Sequence, residues 1–291
     1  MIVVQLKGGL GNQLFQYAAG KALAIKHGAQ LYLDVRQLSK VEKKNTPRNY
    51  ELGIFSHSAD IYISKKYPLD IISAYSPLAM KFFEGLNSFF EKGEGFNDDF
   101  LNKSDNTYLV GYWQSYKYFS GIEKQLIADF ELKSPISSLS KDLLNQIRMT
   151  SNSVAFHVRR GDYVTNIAAN KFHGLIPASY YRVALDRVAS KNKDLTAFIF
   201  SDDPEWCRDN LLIPDVKKVF IDHNQGSESW QDLYLMGYCK HHILANSSFS
   251  WWGAWFGDQH WGKNRSVIYP MKWSTKGNNN LDRAPSHWIS L

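Results

Sequence analysis

Charged residues end two apolar runs in the second half of the chain. Arg159 and Arg160 follow one run, and Asp202 and Asp203 follow the other. An arginine side chain is a planar, permanently charged fork that suits phosphate oxygens. A carboxylate accepts hydrogen bonds from a ribose diol or a guanine edge. These residue types therefore indicate a site for a nucleoside diphosphate.

A third apolar run ends in hydroxyl groups. Ser247 and Ser248 follow it, and Phe249 comes next, at the expected start of a helix. Backbone N–H groups and the positive end of the dipole favour an anion there. If the three runs are parallel strands, their carboxyl ends meet at one edge of the sheet, so the three clusters would converge.

Each cluster also has a structural explanation. The turn at Arg159 and Arg160 could be a surface ion pair. Asp203 and Ser247 are typical N-caps of the helices that would follow them. His157, inside an apolar strand, would ordinarily be a core histidine.

A glycine-rich turn near the N-terminus is the other candidate loop. Gly8, Gly9, Gly11 and Asn12 lie between a short apolar run and a helical pattern. Their spacing does not fit G-x-G-x-x-G, and the chain has no Gly-Lys-Thr of a P-loop. Dinucleotide dehydrogenases and P-loop ATPases are therefore disfavoured.

The elements that must position these residues alternate between strand and helix, which predicts an α/β fold with parallel, doubly wound sheets.

A Ser- and Pro-rich linker at 134–140 divides the chain into an N-terminal domain, 1–140, and a C-terminal domain, 141–291. In the first, strands are predicted at 2–6, 31–34 and 108–112, with helices at 13–27 and 75–90. In the second, strands are predicted at 154–158, 197–200, 219–221, 242–245 and 267–269, with helices at 177–190 and 229–239 and a helical turn at 250–256.

Charge and composition exclude several classes of protein. The net charge is +6, but residues 1–150 carry 18 basic and 15 acidic groups and residues 151–291 carry 16 and 13, so each part contributes +3. The sequence contains no basic tract, so its charge does not favour binding of nucleic acid. No apolar stretch is long enough to span a membrane, and no signal peptide is recognisable. Two cysteines cannot form a disulfide framework, which favours a reducing cytoplasm.

Metal ligands are scarce. His241 and His242 lack a third ligand at useful spacing, two cysteines do not make a zinc site, and no Asp-x-Asp occurs in the chain. We therefore expect no metal and no cofactor.

Four motifs together resemble those of glycosyltransferase family 11, the α-1,2-fucosyltransferases of bacteria and animals. They occur in the family's order and span most of the chain. The resemblance implies a GT-B-like fold, in which two Rossmann-like domains face each other across a cleft. It also implies transfer of L-fucose from GDP-L-fucose to the 2-hydroxyl of a terminal galactoside, with inversion. The motifs are GGLGNQLFQYA at 8–18, HVRRGDY at 157–163, FSDD at 200–203 and SSFSWWGAW at 247–255.

The resemblance also implies roles for individual residues in donor binding. His157 lies by the nucleotide base, Arg159 grips the β-phosphate, and Arg160 is the second basic residue of the motif. Asp202, with Asp203 close behind, is the nucleotide carboxylate.

Two further motifs complete the implied site. Ser247, Ser248 and Phe249 match a stretch that touches the phosphates. Asn12, in the loop that contains Gly9 and Gly11, resembles the asparagine that faces the donor sugar.

The catalytic set implied in this way is Arg159, Asn12 and Asp162. Arg159 would stabilise the charge that develops on GDP without a metal. Two roles remain open for Asp162: it either accepts the proton of the incoming hydroxyl or orients the arginines.

The acceptor side is less defined. Asp34, Asn49 and Trp113 are candidates for a surface that binds a galactose-terminated oligosaccharide or a lipid-linked glycan. Animal members carry an N-terminal anchor, which is not found here, so a bacterial cytoplasmic enzyme is expected, with peripheral contact at the inner membrane.

Three other functions share these features. A nucleotide-sugar-binding protein without turnover would use the same site. A fucosyltransferase of another linkage or acceptor would share the motifs. A nucleic-acid-binding module would use the basic surface and the tryptophans for base stacking.

Overall fold

The computed structural model describes residues 1–38, 48–62, 85–93, 95–211, 213, 216–275 and 282–291. The chain forms two compact units. Unit 1 is Met1–Ser134 with Leu281–Arg283, and unit 2 is Pro135–Asn280 with Ala284–Leu291. The division thus lies within the predicted linker.

Unit 1 contains a five-stranded sheet in the order β3-β2-β1-β5-β4, in which every pair of neighbours is parallel. The apolar residues of its first strand are fully buried, as expected for a strand covered on both faces. Its strands are β1 (Ile2–Gln5), β2 (Leu31–Asp34), β3 (Asp60–Ile61), β4 (Asn87–Phe90) and β5 (Thr107–Val110), and its helices are α1 (Leu10–His27) and α2 (Glu123–Asp129).

Helix α1 packs tightly on β1. A Cβ atom at Gly20 would lie 2.3 Å from a methyl carbon of Val4, so only glycine allows this approach. Gly28 ends the helix in the left-handed conformation, with φ +59°, and its N–H bonds back to the last turn. The glycines therefore fix both the seating and the length of the helix that follows the glycine-rich turn.

The predicted helix at 75–90 is wrong in the part that the structure describes. Asn87–Phe90 is β4, which pairs in parallel with β5. Residues 75–84 of the predicted helix lie outside the described residues. Apolar runs with several aromatic residues suit a strand as well as a helix, and pairing with β5 selects the strand.

Unit 2 contains a six-stranded sheet in the order β11-β10-β9-β6-β7-β8, again with parallel neighbours throughout. Its strands are β6 (Ser153–Val158), β7 (Thr196–Ser201), β8 (Lys217–Ile221), β9 (His241–Ile243), β10 (Val267–Tyr269) and β11 (Ile289–Ser290). Its helices are α3 (Ser138–Met149), α4 (Gly161–Thr165), α5 (Ile167–His173), α6 (Ala178–Ala189), α7 (Pro204–Asn210), α8 (Trp230–Tyr238) and α9 (Ser248–Trp261).

Two predicted boundaries in unit 2 need correction. Helix α3 begins inside the predicted linker, because the Ser137 hydroxyl accepts a hydrogen bond from the N–H of Ser140 and caps it. The predicted turn at 250–256 is the middle of the longer helix α9. Trp251 and Trp252 are fully buried in this helix, so its aromatic residues mainly build the core.

Each sheet reverses its strand order at one place. In unit 2 the chain runs from β6 outward through β7 to β8 and then returns to β9 on the other side of β6. In unit 1 it runs outward from β1 through β2 to β3, and β5 lies on the other side of β1. Ligands of open α/β sheets bind outside the carboxyl ends of the strands at such a switch point.

Within the described residues, no helix combines the length and the apolar character needed to cross a membrane.

Candidate functional site

Arg159 follows β6 and lies between two carboxylates. Its guanidinium contacts Oδ1 of Asp162 at 2.5 Å and Oδ2 of Asp202 at 2.8 Å. Burial lowers the pKa of Arg159, but the charges of Asp202 and Asp162 outweigh it and raise the pKa. The arginine is therefore held as a cation in a fixed position, with a quarter of its side chain exposed.

Arg160 is fixed by the other aspartate. Its Nε donates to Oδ2 of Asp203 over 2.9 Å, and its guanidinium lies 4.0 Å above the ring of Trp206. Its backbone N–H donates to Oδ1 of Asp202 over 2.8 Å. The ends of β6 and β7 are thus joined by both arginines and both aspartates, as the sequence predicts.

Asp203 also has the structural role considered from the sequence. Its carboxylate accepts from the N–H of Trp206 and caps helix α7, and Pro204 occupies the first turn. One carboxylate therefore both begins a helix and orients Arg160.

Gly161 makes room for this cluster. A Cβ atom at this position would lie 2.3 Å from Oδ2 of Asp202, the atom that contacts Arg159. The turn after β6 consequently requires glycine because a side chain would displace a carboxylate from its arginine.

His157 is 6% exposed, near the end of β6, and its ring lies 5.9 Å from that of Phe249. Burial, with a further contribution from the charge of Arg159, lowers the pKa of His157 to about 3. The ring is therefore neutral at physiological pH. Its Nδ1 is buried and forms no hydrogen bond with any of the described residues. His157 therefore differs from an ordinary core histidine, because the described residues leave one of its ring nitrogens unsatisfied.

Ser247 and Ser248 begin helix α9 beyond the end of β9. The Ser247 hydroxyl accepts from the N–H of Phe249 over 3.3 Å and is the N-cap. Because β9 neighbours β6 at the switch point, the start of α9 and the two arginines belong to the same edge of the sheet. Unit 2 therefore brings all its predicted site residues to that edge.

Asn246 is a buried residue at this edge that the sequence reasoning missed. Its side-chain nitrogen donates to the backbone carbonyl of His173 over 2.9 Å, and its backbone carbonyl accepts from the hydroxyl of Tyr163. Its Oδ1 is buried, and within the described part of the chain no group donates a hydrogen bond to it. Its position directly before Ser247 was the available signal, since a strand-end cluster includes every polar residue after the strand.

The predicted residues of unit 1 lie in the glycine-rich turn after β1. Gly8 has φ +78°, and a Cβ atom there would lie 2.4 Å from Nδ2 of Asn12. Gly9 is the N-cap of α1, which contains Gly11 and Asn12 in its first turn. The turn therefore places the Asn12 amide directly against the backbone of Gly8.

Buried amide side chains brace this turn. Gln13 donates to the carbonyls of Gly8 and Asn49 and accepts from the N–H of Glu51. Gln16 bonds both backbone groups of Lys7. The glutamines that continue the first motif are therefore structural, since each satisfies backbone groups of the loop.

The acceptor-surface candidates in unit 1 are mostly interior residues. Asp34 is 1% exposed, and its carboxylate contacts the guanidinium of Arg36 and the hydroxyl of Tyr108. Trp113 is fully buried. Asn49 is exposed. The first two build the unit and do not line a surface.

Trp113 also marks a strained loop. Its φ of +56° is rare for a residue other than glycine and costs about 1–3 kcal/mol. The Glu91 carboxylate accepts from the backbone N–H groups of Tyr112 and Trp113, and burial raises the pKa of Glu91. The loop after β5 is thus held in one conformation.

No group of three or more His, Cys, Asp or Glu side chains that could hold a metal ion occurs in the described ranges. Arg159 and Arg160 provide positive charge at the site in unit 2.

The sequence profile of the family "Glycosyl transferase family 11" matches residues 86–264, more than half of the chain. The chain belongs to glycosyltransferase family 11. The matched region of this chain contains the arginine turn, the aspartate pair and the start of α9. The predicted resemblance is confirmed, and the protein is a glycosyltransferase.

Relatives extend the similarity over the whole chain. An alpha-1,2-colitosyltransferase from Escherichia coli is 33% identical, covering 100% of this chain and 99% of the relative. The O-antigen biosynthesis glycosyltransferase WbnK from Escherichia coli is 30% identical, covering 98% and 99%. Galactoside alpha-(1,2)-fucosyltransferase 1 from Leontocebus fuscicollis is 26% identical over 50% of this chain and 42% of the relative.

Solved structures agree on the fold. The fucosyltransferase NodZ from Bradyrhizobium aligns with a TM-score of 0.51 at 15% identity, covering 87% of this chain and 90% of NodZ. FUT1 from Arabidopsis thaliana, in complex with GDP, aligns with a TM-score of 0.50 at 10% identity, covering 98% and 74%. The predicted GT-B-like α/β class, with a parallel sheet in each of two units, is confirmed.

Proposed function

We propose that this glycosyltransferase transfers L-fucose from GDP-L-fucose to the 2-hydroxyl of a terminal galactoside, with inversion. The observation that carries the proposal is the pair Arg159 and Arg160, fixed by Asp202 and Asp203 at the switch point of unit 2. Family membership and α-1,2-fucosyltransferase relatives support this linkage.

The charge at the switch point suits a leaving diphosphate. Cleavage of the bond between C1 of fucose and the β-phosphate leaves additional negative charge on GDP. Fixed cations that are already oriented stabilise such charge without reorganisation in the transition state. Arg159 is oriented from two sides, by Asp162 and Asp202, and therefore takes the principal electrostatic role in our proposal.

The remaining residues of unit 2 complete the donor site. In this proposal Nδ1 of His157 donates a hydrogen bond to the nucleotide or accepts one from it, according to its tautomer. Oδ1 of Asn246 accepts a hydrogen bond from the nucleotide. The N–H groups at the start of α9, with Ser247 and Ser248, supply donors for phosphate oxygens.

Asp162 orients Arg159 in this proposal. Its carboxylate is in contact with a permanent cation at 2.5 Å. Asp202 contacts the same guanidinium at 2.8 Å, so Asp162 is one of two carboxylates that fix its position. Of the two roles left open by the sequence, the geometry therefore favours orientation over proton abstraction.

The transfer would proceed without a metal or cofactor. Two guanidinium groups and a helix N-terminus supply the positive charge that a metal supplies elsewhere.

A related donor is the second candidate. The 33% identity to an alpha-1,2-colitosyltransferase extends over the whole chain and favours a colitosyl donor as the alternative. L-Colitose is L-fucose without its 3-hydroxyl, so both sugars suit the same diphosphate site and differ only in sugar contacts.

For the acceptor we propose the galactoside end of an O-antigen or capsule repeat. The similarity to an O-antigen biosynthesis glycosyltransferase supports this choice. Repeats of this kind are built on lipid carriers, so the proposal includes peripheral contact with the inner membrane.

A donor and acceptor screen tests the function. Purified protein is incubated with GDP-L-fucose or GDP-L-colitose and with galactosides that differ in the sugar β-linked to galactose. We expect GDP release that depends on a galactoside, and a new α-1,2 linkage in the NMR spectrum of the product. Release of GDP from GDP-L-colitose but not from GDP-L-fucose would identify the colitosyl donor as the substrate. Binding of GDP without release from either donor would indicate a binding protein.

A further inference from the structure

A chain of hydrogen bonds in unit 1 connects the C-terminal part of the sequence to the glycine-rich turn. The guanidinium of Arg283 donates to Oε1 of Gln114. Nε2 of Gln114 in turn donates to Oδ1 of Asn12 over 2.6 Å. Arg283 belongs to unit 1 and is 8% exposed, whereas Gln114 and Asn12 are partly buried, so this is a partly buried link between distant parts of the chain.

The direction of every bond in this chain follows from the chemistry of Arg283. A guanidinium has donors and no acceptor. Gln114 must therefore turn its oxygen towards Arg283 and its nitrogen towards Asn12. Asn12 must then present its oxygen to Gln114, which turns its NH₂ group away from this contact.

The NH₂ group of Asn12 is left beside the glycine-rich turn. Its Nδ2 lies close to Gly8, at 2.4 Å from the position that a Cβ atom would occupy there. In the part of the chain that the structure describes, it donates to no other protein group. Asn12 therefore offers two N–H donors at this position, and an acceptor cannot take their place while Arg283 is present.

Gln114 itself is held by its loop. It follows the strained Trp113, whose N–H is bonded to Glu91, and Gln16 donates to the carbonyl of Gly111 over 3.1 Å. The loop follows β5 and Asn12 follows β1, so the bond from Gln114 to Asn12 spans the switch point of the sheet. The relay therefore crosses the position in unit 1 where ligands of such sheets bind.

We propose that Arg283 is a positioning residue that acts through Gln114 to fix the Asn12 amide as a hydrogen-bond donor to an oxygen of the transferred sugar. The inference rests on the proposed function. It adds two residues to the machinery, Gln114 and Arg283, neither of which belongs to the four motifs in the sequence.

The decisive variant is Gln114→Glu, because it keeps the contact with Arg283 and reverses the polarity beyond it. A glutamate has only acceptors, so Asn12 must turn its NH₂ towards residue 114 and its oxygen towards the sugar. Arg283→Met removes the donors with little change in side-chain length, and Arg283→Lys retains a donor-only cation. Asp282→Asn is the matched control, since Asp282 pairs with Lys117 in the same segment but lies outside the relay.

We expect Gln114→Glu and Arg283→Met to lower kcat roughly tenfold or more. Arg283→Lys should restore most of the rate, and Asp282→Asn should match the wild type. The Kd for GDP should be unchanged in all four variants, because the groups proposed to bind GDP lie in unit 2. Melting temperatures identify any loss that is due to unfolding. A merely structural relay would tolerate Gln114→Glu, which strengthens its pairing with Arg283.

Wild-type rates in Gln114→Glu, with folding intact, would overturn the proposal. A spectrum of side-chain amides from ¹⁵N-labelled protein tests the relay without turnover: the NH₂ signals of Asn12, identified by their loss in Asn12→Ala, should move in Gln114→Glu. If the wild type transfers neither sugar but these signals move, the proposed function fails and the relay stands. If the signals do not move, the relay itself is wrong.

Discussion

The switch point of the sheet in unit 2 carries paired charges, whereas that of unit 1 carries a contact between two amides. At the switch point of unit 2, two arginines are paired with aspartates at 2.5–2.9 Å. At the switch point of unit 1, Asn12 and Gln114 meet through neutral side-chain groups, and the one guanidinium of the relay lies behind them. Two parallel sheets, each with a switch point, thus carry groups for two kinds of recognition: cations suit a diphosphate, and amides suit sugar hydroxyls.

Pairing explains how unit 2 keeps its arginines available. An arginine fixed by carboxylates loses less conformational entropy when a ligand binds. The aspartates also belong to the turn and the helix that follow their strands. The charged edge is therefore built into the fold and is not an addition to it.

The largest expected effect tests whether charge at unit 2 is essential. Arg159→Ala should lower kcat by ~10²–10³, as loss of one preorganised donor to a developing charge does. Arg182→Ala is the control, because its ion pair with Asp186 is half exposed and such pairs contribute little. A rate within about tenfold of wild type for folded Arg159→Ala would remove the electrostatic role from our proposal.

A smaller effect should follow when the pairing is disturbed but the arginine remains. Gly161→Ala places a methyl group against Oδ2 of Asp202. Crowding of this kind costs about 1–3 kcal/mol. If the whole cost appears as a loss of transition-state stabilisation by Arg159, kcat/KM falls by ~5–160-fold. Gly53→Ala, where the nearest side-chain atom lies 3.3 Å away, should behave as wild type. Equal activity of the two variants would show that the position of Asp202 does not matter.

The neutral histidine within the charged edge predicts an effect on stability. Because the pKa of His157 is about 3 when folded and near 6.5 when unfolded, the unfolded chain binds more protons between these values. The neutral His157 therefore contributes to the free energy of unfolding above pH 6.5. This contribution is lost as the pH falls, by about 2 kcal/mol at pH 5. In His157→Gln we expect a smaller decrease of the melting temperature from pH 7 to pH 5.

Tryptophan fluorescence is a suitable probe for this measurement. Eight of the nine tryptophans lie beyond residue 205, so the signal comes mainly from the half of the chain that contains His157. An unchanged pH dependence in the variant would mean that His157 is protonated in the folded protein.

Removal of metal ions is expected to have no effect on turnover. Treatment with EDTA should leave turnover unchanged and added Mn²⁺ should not raise it, because Arg159 and Arg160 supply the cations in our proposal. Loss of turnover with EDTA and its recovery with Mn²⁺ would contradict the contrast between the two units as we interpret it.

The sequence alone determined the parallel α/β class and most strands, because fully buried strands are continuous apolar runs and each ends in polar residues. It also determined the arginine turn, the aspartate pair and the serines that begin α9, since these are local in the sequence. The local pattern gave a wrong prediction for the aromatic run that ends at Phe90, because its conformation as a strand depends on pairing with β5.

Only the tertiary structure decided which residues meet. The Asn12–Gln114–Arg283 relay joins positions separated by 102 and 169 residues, and no local pattern encodes such distances. Burial likewise decided that Asp34 and Trp113 are interior residues and that His157 is neutral. Periodicity and local motifs set the elements and their ends, whereas the packing of those elements set the partners and the charge of each side chain.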